Sequence, residues 1–128
     1  MQILLRRGPC PASCPIYELT IDGDGAVTFV GERHVAPSAA GVHKSRLSPA
    51  QRKALFDAFV LADFFALQDR YQRPSITDQP SITLSFRRGA LRKTVYHSFG
   101  DLTAPVKLLL LEDQIDEIAG TKRWLPMR

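Results

Sequence analysis

The sequence predicts an α+β domain: a mainly antiparallel sheet from two β-hairpin units, each followed by a helix, with both helices packed on one face. Three observations predict it. Two pairs of alternating apolar segments flank glycine-bearing turns, two other segments repeat apolar residues at helical spacing, and 128 residues suit a single domain spanning 1–128. With 45% hydrophobic and 23% charged residues, the composition is globular rather than disordered.

Residues 1–5 are apolar and predict an edge strand that closes at Arg6-Arg7-Gly8. Pro9, Pro11 and Pro15 exclude helix from the next stretch, which holds the only two cysteines, Cys10 and Cys14. Residues 16–21 then alternate, with Tyr17, Leu19 and Ile21 on one side and Ile16, Glu18 and Thr20 on the other. Asp22-Gly23-Asp24-Gly25 supplies the positive φ of a tight turn, and residues 26–31 return as the second strand of a hairpin. A loop over 37–41 leads to a third strand over 42–47.

Ser48-Pro49-Ala50-Gln51 predicts a helix start, with Ser48 as N-cap, Pro49 in the first turn and Gln51 closing a capping box. Leu55, Ala58, Phe59, Ala62 and Phe65 carry the helical spacing to Leu67. Residues 68–80, with Pro74 and Pro80, form the longest expected loop. Ile82, Leu84 and Phe86 alternate up to a turn over 87–90, and residues 91–99 return. Thr103 is the expected cap of the last helix, whose buried stripe is Leu108, Leu111, Ile115 and Ile118; Gly120 ends it and Trp124 packs back on the core. Two hairpins each followed by a helix suggest a structural duplication without a residue-level repeat.

The formal net charge of +4 favours weak attraction to polyanions and identifies no partner. No apolar run reaches the length of a signal-peptide core or a membrane span. The sequence reads as cytoplasmic as it stands, and as exported if an N-terminal leader has been removed.

Chemistry concentrates in the cysteine turn and the long loop. A bridge between Cys10 and Cys14 needs the segment to fold back, because a disulfide tolerates Cα separations of roughly 4.4–6.8 Å. In a reducing compartment the same residues are two thiols. Zinc needs two more ligands from His34, His43 and His97, which lack a helical-face spacing and read better as ordinary imidazoles. Asp22-Gly23-Asp24-Gly25 is not a calcium loop, since Arg33 falls where the acidic twelfth residue belongs. Arg87, Arg88, Arg92 and Lys93 crowd one hairpin as a candidate phosphate grip, but few aromatic residues interleave with them, so nucleic acid is not favoured. Glu112, Asp113, Asp116 and Glu117 read as the solvated face of the last helix. Tyr17, Tyr71 and Asp78 are the candidate residues of a ligand or partner loop.

Cys10-x3-Cys14-Pro15-x-Tyr17, the Asp-Gly-Asp-Gly turn, Phe64-Phe65-x-Leu67, Tyr71, Thr77-Asp78-x-Pro80 and Ile115-Asp116-x-Ile118-Ala119-Gly120-Thr121 occur in one order across most of the chain. In this the sequence resembles a bacterial family of domains of unknown function. The resemblance departs at Ala12, where that family has glycine, and implies exported or lipid-anchored relatives but no activity.

No nucleophile, base and orienting group can be paired along the sequence, so a non-enzymatic binding or interaction module is the leading expectation. Its partner is a protein or a small molecule; no cofactor or metal is indicated. The alternatives are a thiol- or metal-dependent activity centred on Cys10 and Cys14, or a phosphate-binding surface on the second hairpin.

Overall fold

The computed structural model describes residues 1–8, 14–33, 35–36, 40–72, 81–98, 101 and 103–125. In chain order the elements are β1 (Gln2–Arg7), β2 (Ile16–Asp22), β3 (Ala26–Arg33), β4 (Gly41–Arg46), α1 (Pro49–Leu61), β5 (Arg70–Tyr71), β6 (Ser81–Arg88), β7 (Leu91–Ser98) and α2 (Val106–Ala119). The strands make one sheet ordered β4-β3-β2-β1-β6-β7-β5, antiparallel except where β5 lies parallel to β7.

The α+β class and the largely antiparallel sheet are as expected, and both hairpins form. The architecture is richer than two hairpin-plus-helix units: β1 precedes the first hairpin, β4 extends it, and β5 flanks the second.

The largest correction concerns residues 1–5, expected at an edge. β1 is internal, paired to β2 on one side and β6 on the other. Ile3 and Leu5 explain why: they stand opposite Ile21 and Leu19 of β2 and opposite Phe86 and Leu84 of β6. Both are fully buried, which an edge position flanked on one side would not achieve. β1 is therefore the seam that joins the two hairpins.

One face of the sheet is the core. Its inward side chains share a single cluster with Leu55, Phe59, Leu108, Leu111 and Ile115 of the two helices. α1 starts as predicted, with Gln51 N donating to Ser48 Oγ (3.1 Å) and Ser48 N donating to Gln51 Oε1 (2.8 Å). It ends earlier than Leu67. Asp63 takes a left-handed conformation (φ 50°) and a 3-10 turn, Phe64–Ala66, follows. That break turns Phe64 into the core, edge-on to Phe59 with ring centroids 5.2 Å apart.

At α2 the cap differs as well. Pro105 precedes the helix without a side-chain cap, while Thr103 N donates to Asp101 Oδ1 (2.8 Å). Gly120 does end the helix, at φ 70°, a conformation glycine adopts without steric cost. Trp124 packs back as expected, stacked on Phe29 with centroids 4.6 Å apart.

Leu5→Ala tests the internal placement of β1: truncating a fully buried leucine should cost about 2–5 kcal/mol by chemical denaturation. Val42→Ala on the edge strand β4, where Val42 is 61% exposed, should stay within about 0.5 kcal/mol. Equal losses at both positions would contradict the strand order.

Candidate functional site

The inward face changes character along β1. Ile3 and Leu5 face the helices, and the pleat turns the next inward position, Arg7, the same way. Cross-strand register continues the row: Tyr17 stands opposite Arg7, Arg7 opposite Ile82, Ile82 opposite His97 and His97 opposite Tyr71. A row of polar side chains thus crosses the core face at the end of the sheet where β1 stops.

α2 lies over this row with its carboxylates turned onto the sheet. Glu112 is 2% exposed, and the Asp116 side chain is 18% exposed. The expected solvated acidic face is therefore wrong for these two residues, while Asp113, at 81%, does meet solvent. Helical geometry accounts for the split. At about 100° per residue, Glu112 lies about 40° from Leu108, at the edge of the apolar arc, and Asp116 lies farther out on its flank.

Asp116 and Tyr17 hold Arg7. Arg7 Nε donates to Asp116 Oδ2 and to Tyr17 Oη, both at 2.9 Å, and Arg7 Nη2 also donates to Asp116 Oδ2. Tyr17 Oη in turn donates to Asp116 Oδ1 at 2.9 Å. Burial by itself would lower the guanidinium pKa, but the Asp116 charge, helped by Tyr17, more than reverses that and raises it. The Tyr17 phenol is pushed well above its ordinary value, first by burial and then by the Asp116 charge, with Arg7 opposing. At neutral pH the cluster is a guanidinium, a carboxylate and an un-ionised phenol.

The guanidinium is used on one edge only. Asp116 occupies the fork formed by Nε and Nη2, and Nη1 has no hydrogen-bonding partner among the described residues. Arg7, Tyr17 and Asp116 line a cavity of about 340 Å³ that is walled by Cys14, Pro15, Ile82 and Leu125. Asp113 stands at the rim, its Oδ1 3.8 Å from Arg7 Nη2.

A second polar pair lies farther along the row. His97 Nδ1 is 3.1 and 3.3 Å from the two carboxylate oxygens of Glu112, and each residue is 2% exposed. This pair borders a cavity of about 500 Å³ that shares Ile82 and Asp113 with the first. The two cavities are therefore neighbours along one side of α2.

Of the candidates read from sequence, Tyr17 lies in the cluster and Cys14 lines its cavity. Cys10 and Asp78 lie outside the described residues, and with them the Cys10–Cys14 bridge as a pair. Tyr71 shares the row but not the cavity. Three strands separate it from Tyr17, about 19 Å at normal strand spacing, and its hydroxyl accepts from Gln68 N at 3.0 Å.

His34 also lies outside the described residues, and His43 sits by the Phe29 and Trp124 rings, at centroid distances of 6.4 and 6.2 Å. Among the described residues no group of three or more His, Cys, Asp or Glu is placed to hold a metal ion, and no helix is long and apolar enough to cross a membrane. The basic hairpin does not gather into one patch. Arg87 and Arg92 oppose each other on the outer face, while Arg88 lies 4.8 Å over the Phe56 ring and Lys93 Nζ donates to Asp69 at 3.0 Å.

Residues 1–119 match the family described as a domain of unknown function, DUF6438. The chain belongs to that family. The matched span runs from β1 to the end of α2, so every member of the polar row and both carboxylates facing it fall inside the family domain. None of the curated proteins compared with the chain matches it.

Sequence reasoning missed Arg7, His97, Glu112 and Asp116 as site residues. The signal existed in the alternation: Arg7 continues Ile3 and Leu5, and His97 follows Val95 by two.

Tyr17→Phe should cost about 0.5–1.5 kcal/mol at neutral pH, the net value of a typical hydrogen bond. Because its folded pKa is raised, Tyr17 contributes stability that is intact below its ordinary value of 10.0 and lost as pH rises above it. Denaturation followed from pH 8 to 11 should show that decline in the wild type and a shallower one in Tyr17→Phe. Asp116→Asn, which removes the countercharge of Arg7, should cost about 1–3 kcal/mol; Asp113→Asn should stay within about 0.5 kcal/mol.

Proposed function

We propose that the domain is a non-enzymatic binding module whose contact site is the cavity at the Arg7, Tyr17 and Asp116 cluster. One observation carries this: a half-buried guanidinium, clamped along one edge by Asp116, lines an open cavity while its Nη1 meets no hydrogen-bonding partner among the described residues. A cation held rigidly by a carboxylate and a phenol has lost its side-chain freedom in advance, so a ligand that accepts from Nη1 gains a charge-assisted hydrogen bond at little ordering cost. The cavity volume suits a small molecule or a chain end.

The wall residues favour a ligand with one polar end and an apolar body, since Pro15, Ile82 and Leu125 flank the guanidinium. A bridge between Cys10 and Cys14 fits the same reading, because a clip at Cys14 would stiffen one wall of the cavity. Asp78, outside the described residues, and Tyr71 remain a second candidate contact on this proposal.

The test is ligand-observed NMR with a fragment library of carboxylates, amides and alcohols, followed by amide shift mapping on the wild type. At least one acceptor-bearing fragment should bind with shifts at Ile82 and Leu125. Its affinity should fall about 10-fold or more in Arg7→Met, the value of a hydrogen bond to a charged group. Fragments that shift other surfaces, or that bind Arg7→Met unchanged with its circular dichroism intact, would overturn the assignment.

A further inference from the structure

The charges around the cavity narrow the ligand further, and we infer that the site takes a zwitterion of the α-amino acid type with an apolar side chain. The inference rests on the binding reading above and goes beyond it by naming a chemical class.

The guanidinium has two edges able to grip a carboxylate in parallel hydrogen bonds. Asp116 uses the edge made by Nε and Nη2, which leaves the end made by Nη1 and the second N–H of Nη2. Nη1 meets no hydrogen-bond acceptor among the described residues; apart from Asp116, the anionic oxygen recorded beside the guanidinium is Asp113 Oδ1, at 3.8 Å from Nη2. A planar carboxylate is the complement of such an end.

A simple carboxylate is nevertheless a poor match. Asp116 already neutralises Arg7, the Tyr17 phenol is un-ionised, and Asp113 adds a further negative charge at the rim. Among the described residues, an anion placed on the free end therefore meets one positive and two negative charges. A ligand carrying an ammonium group beside its carboxylate removes the conflict, because the ammonium can face Asp113 while the carboxylate faces Arg7. Asp113 is 81% exposed and, among the described residues, has no ion-pair partner closer than Arg7 Nη2 at 3.8 Å, so it is available for this contact without disturbing the core. The remaining surface, Pro15, Ile82 and Leu125, is apolar and selects the side chain.

The test titrates the wild-type protein with L-leucine, L-methionine and L-phenylalanine, alongside N-acetyl-L-leucine and 4-methylpentanoate, by calorimetry and amide shift mapping. At least one of the three amino acids should bind saturably with shifts at Ile82 and Leu125. For leucine, both the acetylated form and the acid lacking the amine should bind about 10-fold more weakly, the value of one charge-assisted contact. Asp113→Asn, which leaves the Arg7 cluster intact, should abolish that preference.

Equal binding of leucine and 4-methylpentanoate, or a preference that survives Asp113→Asn, would overturn the zwitterion inference. If none of the amino acids binds but other fragments bind in an Arg7-dependent way, this inference falls and the binding reading stands. If no compound shifts Ile82 or Leu125, both fall.

Discussion

Arg7 stands where the pleat of the central strand points a side chain at the helices, two residues beyond Leu5, and a guanidinium in that position needs an anion close by. Asp116 supplies it from 109 positions away, and Tyr17 completes the contact from the neighbouring strand. The cluster thus ties β1, β2 and α2 together at one point. Rotating or sliding α2 would strand the half-buried cation, so the pairing fixes how the helix sits over the sheet more than it adds net stability.

Around that constraint the inward face divides in two. Toward the start of β1 it is aliphatic and aromatic and close-packed, with Ile3 and Leu5 surrounded by Leu19, Ile21, Leu84 and Phe86. Toward its end the same positions hold Arg7, Tyr17 and His97, and the carboxylates of α2 answer them. Polar groups paired in this way cannot fill space as methyl groups do. The cavities of about 340 and 500 Å³ lie there, beside the pairs.

Several of these features were legible before folding. The hairpins, the capping box at Ser48 and the glycine stop at Gly120 are local, and each arises from chemistry within a few residues. Arg7 and Glu112 also carried a signal in the sequence, one in a period of two with Ile3 and Leu5, the other within about 40° of Leu108 on the helix. Charged residues read as solvated by default, and only a partner on another element overrides that default. Asp63 shows a different limit: the apolar spacing runs on through Phe65, yet the helix breaks because Phe64 gains more by turning into the core.

The sequence by itself determined the α+β class, the two hairpins, the capped start of α1 and the aliphatic stripe on each helix, because alternation, helical spacing and turn residues act over short distances. Tertiary structure alone decided that β1 lies at the centre, that β5 runs parallel to β7, and that Arg7, Tyr17 and Asp116 meet. Those outcomes depend on which buried surfaces and which opposite charges find each other across a hundred residues, and no local propensity encodes a partner at that distance.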